Sequence, residues 1–345
     1  MTVVVSGGSG LVGSHVIAAL RARGERVRAL ARPESRGAVE RLGVAPEDIV
    51  PGDVRDPAVW ARAAEGARGV VHAAALVAPR APLDLFLDVN VGGTRCAIAA
   101  ARGAGARLVH ISSVAVYGRT GAYAAGAGAV REDFPFGRIA GRDFYARSKR
   151  AAEEAVAGAA AEGGLEAAIL RPNVIYGERD RLFSPRVARA VRQRLAPRIG
   201  PGTNHLSCVY AGNVAAAVVA ALEAPPALFA KGARAFNVTD DGPGALTQSS
   251  FVNAFAEELG VRLVRFRLPY FAARLAVDAW ARVQVLRFPG RYPGIGRAAV
   301  GFLAGENPFV AERARRELGW EPPVPAREAV RRTACWILEN EKPGR

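Results

Sequence analysis

The sequence predicts an α/β protein: a doubly wound parallel sheet with a smaller, mostly helical C-terminal region. Three observations carry that prediction. Short β-branched runs alternate with longer helical patterns through the first half of the chain, which argues for parallel strands with helices on both faces. A glycine-rich turn joins the first such run directly to the first helical pattern. After Tyr176 the period changes, and most of the remainder reads as helical or irregular.

In chain order, strands are predicted over residues 2–6, 27–31, 48–51, 70–72, 107–112 and 167–171. Helices are predicted over 11–23, 58–65, 83–102, 144–162, 184–194 and 212–223. Pro172 follows the sixth strand and is expected to stop it, because proline has no amide to donate to a ladder. Residues 118–141, with Ala-Gly repeats and Pro135, read as a long loop of the kind that is functional or mobile in compact domains. One more strand is expected at 235–238. The stretch 267–297 carries Phe271, Leu275, Trp280, Val283, Leu286 and Phe288, with Arg274, Asp278 and Arg282 four apart on one helical face. It reads as a helix packed on the C-terminal region, with a peripheral membrane contact as the second reading. A helix at 312–320, a stiff turn through Pro322, Pro323 and Pro325, and a final helix through Leu338 complete the pattern.

Composition narrows the function classes. Half of the 345 residues are apolar and 23% are charged, which excludes a disordered or collagen-like chain. Cys96, Cys208 and Cys335 are scattered, so neither a disulfide framework nor a metal-ligand cluster is expected, and the cytoplasm is the expected compartment. Residues 2–5 run straight into the glycine turn, so no leader is expected there. The apolar run 214–222 has half of the ~18 residues that a bilayer crossing requires. Forty-seven Lys and Arg against 32 Asp and Glu give a net charge of +15, carried almost wholly by arginine. These cations are spread along the chain without a zinc-finger or RNA-binding signature, so no nucleic-acid partner is expected. A basic surface that attracts anionic cofactors or lipids is the expected consequence.

Ser6-Gly7-Gly8-Ser9-Gly10-Leu11-Val12-Gly13 follows a predicted strand and opens a predicted helix, the context that turns a glycine pattern into a dinucleotide site. Gly7 permits the tight turn, Gly10 lets the backbone approach a pyrophosphate, and Gly13 lets helix and sheet pack closely. The phosphates then sit over the helix start at Leu11 and Val12. The first half thus reads as a Rossmann-type sheet. At the end of the second strand no acid stands ready for a ribose. Leu30-Ala31-Arg32-Pro33 offers Arg32 instead, with Arg36 behind it, as a fork for a 2′-phosphate. NADP(H) is the favoured cofactor on this reading and NAD(H) the second choice. Arg36 reads equally as solvated surface. Asp53, ahead of Val54, is placed to accept from an adenine amino group or, alternatively, to cap its loop. Ala73 and Ala74, after His72, are small enough for the cofactor to approach the backbone.

Tyr145 and Lys149 are four apart and face one side of a helix, while Ser112-Ser113 closes the fifth strand at the rim where the cofactor lies. Hydride transfer to or from a carbonyl needs a proton delivered or removed at the oxygen. A tyrosine hydroxyl does this if Lys149 and a cationic nicotinamide lower its pKa from about 10. Tyr145 and Lys149 therefore face cofactor and substrate together, and Ser113 donates to the substrate oxygen. Asn90 either supports the lysine through water or pins backbone. No metal is needed, since side chains provide both proton transfer and oxygen polarisation.

These motifs, in this order, resemble the extended short-chain dehydrogenase/reductase family, within the NAD-dependent epimerase/dehydratase superfamily. The resemblance rests on Ser6–Gly13, Asp53, Asn90 in Asn-Val-Gly-Gly-Thr, Ser112-Ser113 ahead of Val116-Tyr117-Gly118, and Tyr145 with Lys149. Arg171-Pro172-Asn173-Val174-Ile175-Tyr176-Gly177 is similar to the family segment that passes the nicotinamide, which implies cofactor contacts at Pro172, Asn173 and Val174. The family pattern also implies Ser113, rather than Ser112, as the catalytic serine. Cys208 to Ala215, Phe236 to Asp241 and Ala314 to Pro322 resemble the 3β-hydroxysteroid dehydrogenase-like branch, which acts on sterols and 2-alkyl-3-keto acids and grades into flavanone-type reductases. A homodimer is the common assembly for this resemblance.

The leading expectation is an NADP(H)-linked oxidoreductase that interconverts a secondary alcohol and a ketone on a largely apolar substrate. Residues 1–175, completed by about 207–240, are expected to bind cofactor, and 176–206 with 241–345 to bind substrate. Phe134, Phe136, Tyr176, Phe183 and the aromatic stretch from Phe266 to Trp280 are candidates for the pocket. The alternative is a sugar-nucleotide epimerase or dehydratase using tightly bound NAD. Leu206 weighs against it, because such enzymes generally place an arginine there to clamp a diphosphate. Arg179, Arg181 and Arg186 are candidates to replace that arginine or to bind a substrate carboxylate, and read more blandly as a solvated helix start.

Overall fold

The computed structural model describes residues 1–78, 81–118, 128–194, 196, 198–242, 245–263, 266–287 and 303–340. The strands are β1 (Thr2–Ser6), β2 (Arg26–Ala31), β3 (Ile49–Pro51), β4 (Ala67–His72), β5 (Arg107–Ile111), β6 (Ala167–Pro172), β7 (Val174–Tyr176), β8 (Arg198–Ile199), β9 (Cys208–Tyr210), β10 (Arg234–Val238) and β11 (Arg267–Leu268). Seven of them form one parallel sheet in the order β10-β6-β5-β4-β1-β2-β3. Two short parallel pairs, β7 with β9 and β8 with β11, lie outside it.

Both faces of the main sheet are covered, which is why its central strands are apolar almost throughout. On one face α1 (Leu11–Ala22) packs with a later helix over Val3, Val5, Val109 and Leu170. Between them in the chain come α2 (Arg36–Glu40), α3 (Pro57–Ala64), α4 (Leu83–Phe86), α5 (Gly93–Ala104), α6 (Phe144–Ala161) and α7 (Ser184–Arg192), and that later helix is α8 (Ala211–Glu223). The opposite face carries α3, α5 and α6 over Val4, Leu30, Val70, Leu108 and Ile169. Alternate residues of one strand feed the two layers, as the period of a strand requires. The strand order reverses between β1 and β4, and a crevice opens beyond their C-terminal ends.

The rest of the chain is smaller and helical: α9 (Gln248–Glu258), α10 (Tyr270–Arg287), α11 (Glu312–Leu318) and α12 (Ala326–Asn340). α7, α9 and α12 enclose Tyr176, Tyr210, Phe251 and Phe255 in a third core. α11 returns to the main sheet, where Ala314 and Trp320 join the α1/α8 layer. On α10, Phe271 and Leu275 are 67% and 64% exposed. Phe288 lies outside the described residues, as do the side chains of Trp280 and Leu286. No helix among the described residues is long and apolar enough to cross a membrane.

β6 stops at Pro172 as expected, the proline being its last residue, in register with Val238 of β10, a terminal position where a missing amide costs the ladder least. Two local expectations change. The helix expected at 83–102 is interrupted: a π-helical stretch, Leu87–Gly92, separates α4 from α5 and carries Asn90. Within the expected loop, residues 119–127 lie outside the described residues, and Val130 bridges to Phe309.

Candidate active site

β1 delivers the chain into the crevice at Gly7. Its φ of +74° suits glycine, and a Cβ there would lie 2.6 Å from the Ala74 amide nitrogen. The Gly10 amide donates to the Gly7 carbonyl at 2.9 Å and closes the turn. A Cβ on Gly13 would stand 2.2 Å from that same carbonyl oxygen, so α1 can pack here only without one. Gly10 is the N-cap of α1, and no side chain caps the first turn. The amides over Leu11 and Val12 are thereby left for an anion, at the positive end of the helix. Ala73 and Ala74 form the opposite wall, steadied by Ser6, whose hydroxyl hydrogen-bonds His72 Nδ1 at 2.8 Å. The cradle fits the diphosphate of a dinucleotide.

Across the crevice, α6 starts at its N-cap Asp143, whose carboxylate accepts from the Ala146 amide at 3.2 Å. Tyr145, Lys149 and Glu153 then fall on one stripe that faces the end of β5. The Tyr145 hydroxyl lies beside that of Ser113. Ser113 Oγ also accepts from the Ala115 amide at 3.2 Å, which fixes its rotamer. Lys149 is 3% exposed and donates to the Ile111 carbonyl. Burial pulls its pKa down to about 8, against the opposing pull of Glu153. His72 and His110 stand beside it as neutral rings, their pKa values lowered chiefly by burial, to about 3 for His72.

The expected direction for Tyr145 is corrected. Burial pushes its pKa up, the neighbouring Ser113 hydroxyl recovers part of the shift, and Asp143 adds to it. The protein by itself therefore holds Tyr145 as an acid, rather than as a base activated by Lys149.

The remaining expected residues divide. Asn90 is buried; its Oδ1 accepts from the Leu76 amide at 2.6 Å and its Nδ2 donates to Ser148 Oγ at 2.9 Å. It pins backbone to α6, the structural alternative. The Asp53 carboxylate is taken by Arg55, at 2.8 and 3.0 Å, in the loop-capping arrangement. Val54 packs against Gly93 and accepts from Trp60 Nε1 at 2.7 Å. Pro172, Asn173 and Val174 leave β6 at the rim that holds Ser113. Asn173 Nδ2 donates to the Thr239 carbonyl at 2.6 Å, whereas its buried Oδ1 has no partner among the described residues.

Of the described aromatic candidates Tyr176 is buried, Phe134 and Phe183 are half-buried, and Phe136, Phe266, Tyr270 and Phe271 are exposed. Tyr176 and Phe183 pack on Phe251, and Phe134 and Phe136 on Tyr117. Leu206 is 4% exposed and packs among apolar side chains of the third core rather than standing on an open surface. Arg179 donates to Ser14 Oγ at 2.9 Å, and Arg181 and Arg186 are exposed. Sequence reasoning missed Glu153 and Asp241. Glu153 carries a signal, one further turn along the Tyr145/Lys149 stripe. Asp241 accepts from Tyr176, the Tyr210 amide and Asn213 at 2.7, 2.8 and 2.8 Å, partners too distant in sequence to be read.

A profile of the NAD dependent epimerase/dehydratase family matches residues 3–238. The 2-alkyl-3-oxoalkanoate reductase of Stenotrophomonas maltophilia is 30% identical over 340 residues, 96% of this chain and 98% of that protein. The 4-hydroxy-2-methyl-3-oxo-4-farnesyl-3,4-dihydroquinoline-1-oxide ketoreductase of Stigmatella aurantiaca is 32% identical over 93% of this chain and 92% of its own length. The fold is shared with UDP-glucuronic acid 4-epimerase from Bacillus cereus in complex with NAD, at a TM-score of 0.72 and 18% identity, covering 99% of this chain and 100% of that one. Further solved structures of the fold also hold NAD.

These NAD complexes overturn the expected preference for NADP(H). The local reason is charge: Arg32 is paired with Glu34 at 3.2 Å and Arg36 with Glu40 at 2.8 Å, so each cation at the end of β2 is already matched by a carboxylate. A profile that spans the whole main sheet, together with relatives alike over nearly their full length, gives one answer: the chain belongs to the NAD dependent epimerase/dehydratase family, the extended short-chain dehydrogenases/reductases, and is an NAD(P)-dependent oxidoreductase.

Proposed function

We propose that the protein exchanges hydride with NAD(H) at a secondary alcohol or its ketone, the substrate oxygen lying between Ser113 and Tyr145. The observation that carries this is the meeting of the Ser113 and Tyr145 side chains at the end of β5, where the buried ammonium of Lys149 holds the Ile111 carbonyl. NAD(H), when bound, supplies or accepts the hydride. Gly7, Gly10, Leu11, Val12 and Gly13 hold its diphosphate, and Ala73, Ala74, Pro172, Asn173 and Val174 line its path. Ser113 donates to the substrate oxygen, Tyr145 gives or takes the proton there, and Lys149 supplies the positive charge that stabilises the tyrosinate left behind. Residues 176–206 and 241–345 enclose the substrate.

Two substrate classes fit this chemistry. A sugar nucleotide, oxidised transiently and reduced again, has the broader backing: the family profile carries that name and the solved epimerase shares the fold. A largely apolar ketone, of 3-oxo acid, sterol or flavanone type, is supported by the two full-length reductase relatives and by Tyr145 being held as an acid, the form that a reduction consumes. The test offers NADH with 2-alkyl-3-oxo acids and ketosteroids, and separately NAD+ with UDP- and dTDP-sugars, with product analysis. Net oxidation of NADH by a ketone selects the reductase, and a changed sugar without net reduction of NAD+ selects the epimerase or dehydratase. In either case Tyr145→Phe should lower turnover by about 100-fold or more.

A further inference from the structure

Three side chains on consecutive turns of α6 grip three successive residues at the end of β5. Tyr145 meets Ser113, Lys149 holds the Ile111 carbonyl, and Glu153 accepts from Ser112 Oγ at 2.5 Å. The chemistry above uses the first two and leaves Glu153 without a task.

Glu153 is 3% exposed. Besides Ser112, its carboxylate receives Arg171 Nε at 3.0 and 3.2 Å, and Arg171 Nη2. Arg171 stands at the end of β6, one residue before Pro172, and its Nη1 donates to Tyr117 Oη at 2.7 Å and the Glu132 carbonyl at 3.0 Å. One carboxylate thus ties together β5, β6 and α6 directly beneath the reacting hydroxyls. Among the described residues, the groups that face the Lys149 ammonium are the neutral rings of His72 on β4 and His110 on β5, with Tyr145 and Glu153 on its own helix and Arg171 of β6 behind Glu153. Glu153 is the one anion in that set. A buried ion pair serving stability alone could be exchanged for apolar side chains. Here that exchange would also leave a second buried cation without an opposing charge.

We propose that Glu153 is a positioning residue of this site: its carboxylate keeps Lys149 charged and holds Ser112, and with it the adjoining Ser113, at the substrate oxygen. The proposal rests on the Ser113/Tyr145/Lys149 reading above. The chain has only three lysines, Lys149, Lys231 and Lys342, so protein labelled with 13C at lysine Cε gives three resonances, assigned with Lys231→Arg and Lys342→Arg. In Glu153→Gln the titration midpoint of Lys149 should fall by about one pH unit. The alkaline limb of kcat should move down with it, while the KM for NADH is unchanged. Glu153→Asp, which keeps the charge, should restore the midpoint.

Glu153→Gln strands the Arg171 charge, so Glu153→Gln/Arg171→Met, which removes both charges, tests the point without that strain; the Lys149 midpoint should fall there in the same direction but less, because the repulsion from Arg171 goes with the pair. Ser112→Ala leaves the ion pair intact and should lower kcat by about 10-fold without moving the Lys149 midpoint. A folded double variant with an unmoved midpoint and an unmoved alkaline limb overturns the proposal, as does a Ser112→Ala protein with full activity. Tyr145→Phe is carried through the same assays. Turnover retained there refutes the catalytic reading, whereas the lysine titration reports on Glu153 independently of it.

Discussion

Lys149 is a buried ammonium whose pKa is about 8 in the folded protein and about 10.4 in an unfolded chain. Between those values the native state binds fewer protons than the unfolded state, so this group's contribution to stability rises with pH through that window. Below it, the buried charge costs about 3 kcal/mol. Lys149→Met should therefore be the more stable protein at neutral pH in urea unfolding, by about 2 kcal/mol, and its advantage should shrink between about pH 8 and 10. An advantage that grows with pH would show that the ammonium is not strained. Tyr145 and Lys149 were legible because their spacing alone puts them on one helix face. The direction of the Tyr145 shift was not, because burial depends on what packs around the helix. Arg32 and Arg36 misled for a related reason: a fork read as open for phosphate is matched by an acid two or four residues further on.

The turn between β1 and α1 was the most legible element, since each glycine answers a local steric need. Gly7 answers two of them, a positive φ and a packing so close that an added Cβ would lie 2.6 Å from the Ala74 amide nitrogen. Gly7→Ala should cost about 2–4 kcal/mol and abolish NADH binding, read by thermal melting and by fluorescence of the bound reduced nicotinamide. Wild-type affinity in that variant would mean that the crevice lies elsewhere. Strand positions were read within a few residues, because β-branched runs bounded by turn residues mark a buried parallel strand. The helix expected at 83–102 failed in its middle, where Asn90 bonds backbone at Leu76 and a π-helical stretch replaces the α-helical one. Short pieces such as α2, β8 and β11 carry too few residues to show a period.

The main sheet with its two helical layers could be read from the sequence, whereas the attachment of the C-terminal helices could not. That attachment runs through Asp241, which gathers β7, β9 and α8, and through Asn213, whose Nδ2 donates to the Val324 carbonyl at 2.8 Å. Burial raises the Asp241 pKa to about 6, above the value of about 3.9 in an unfolded chain. Between those values the native state holds the extra proton, so stability falls as pH rises through that window, by up to about 3 kcal/mol. Asp241→Asn should flatten this dependence in thermal melts at pH 4 to 6, and an unchanged slope would assign it to other groups. The most direct measurement of all is turnover of wild-type and Tyr145→Phe protein side by side, with NADH and ketones in one arm and NAD+ and nucleotide sugars in the other. The hydride-exchange account predicts activity in one arm, abolished by the substitution while NADH binding is kept. Turnover that survives the loss of the Tyr145 hydroxyl would contradict it.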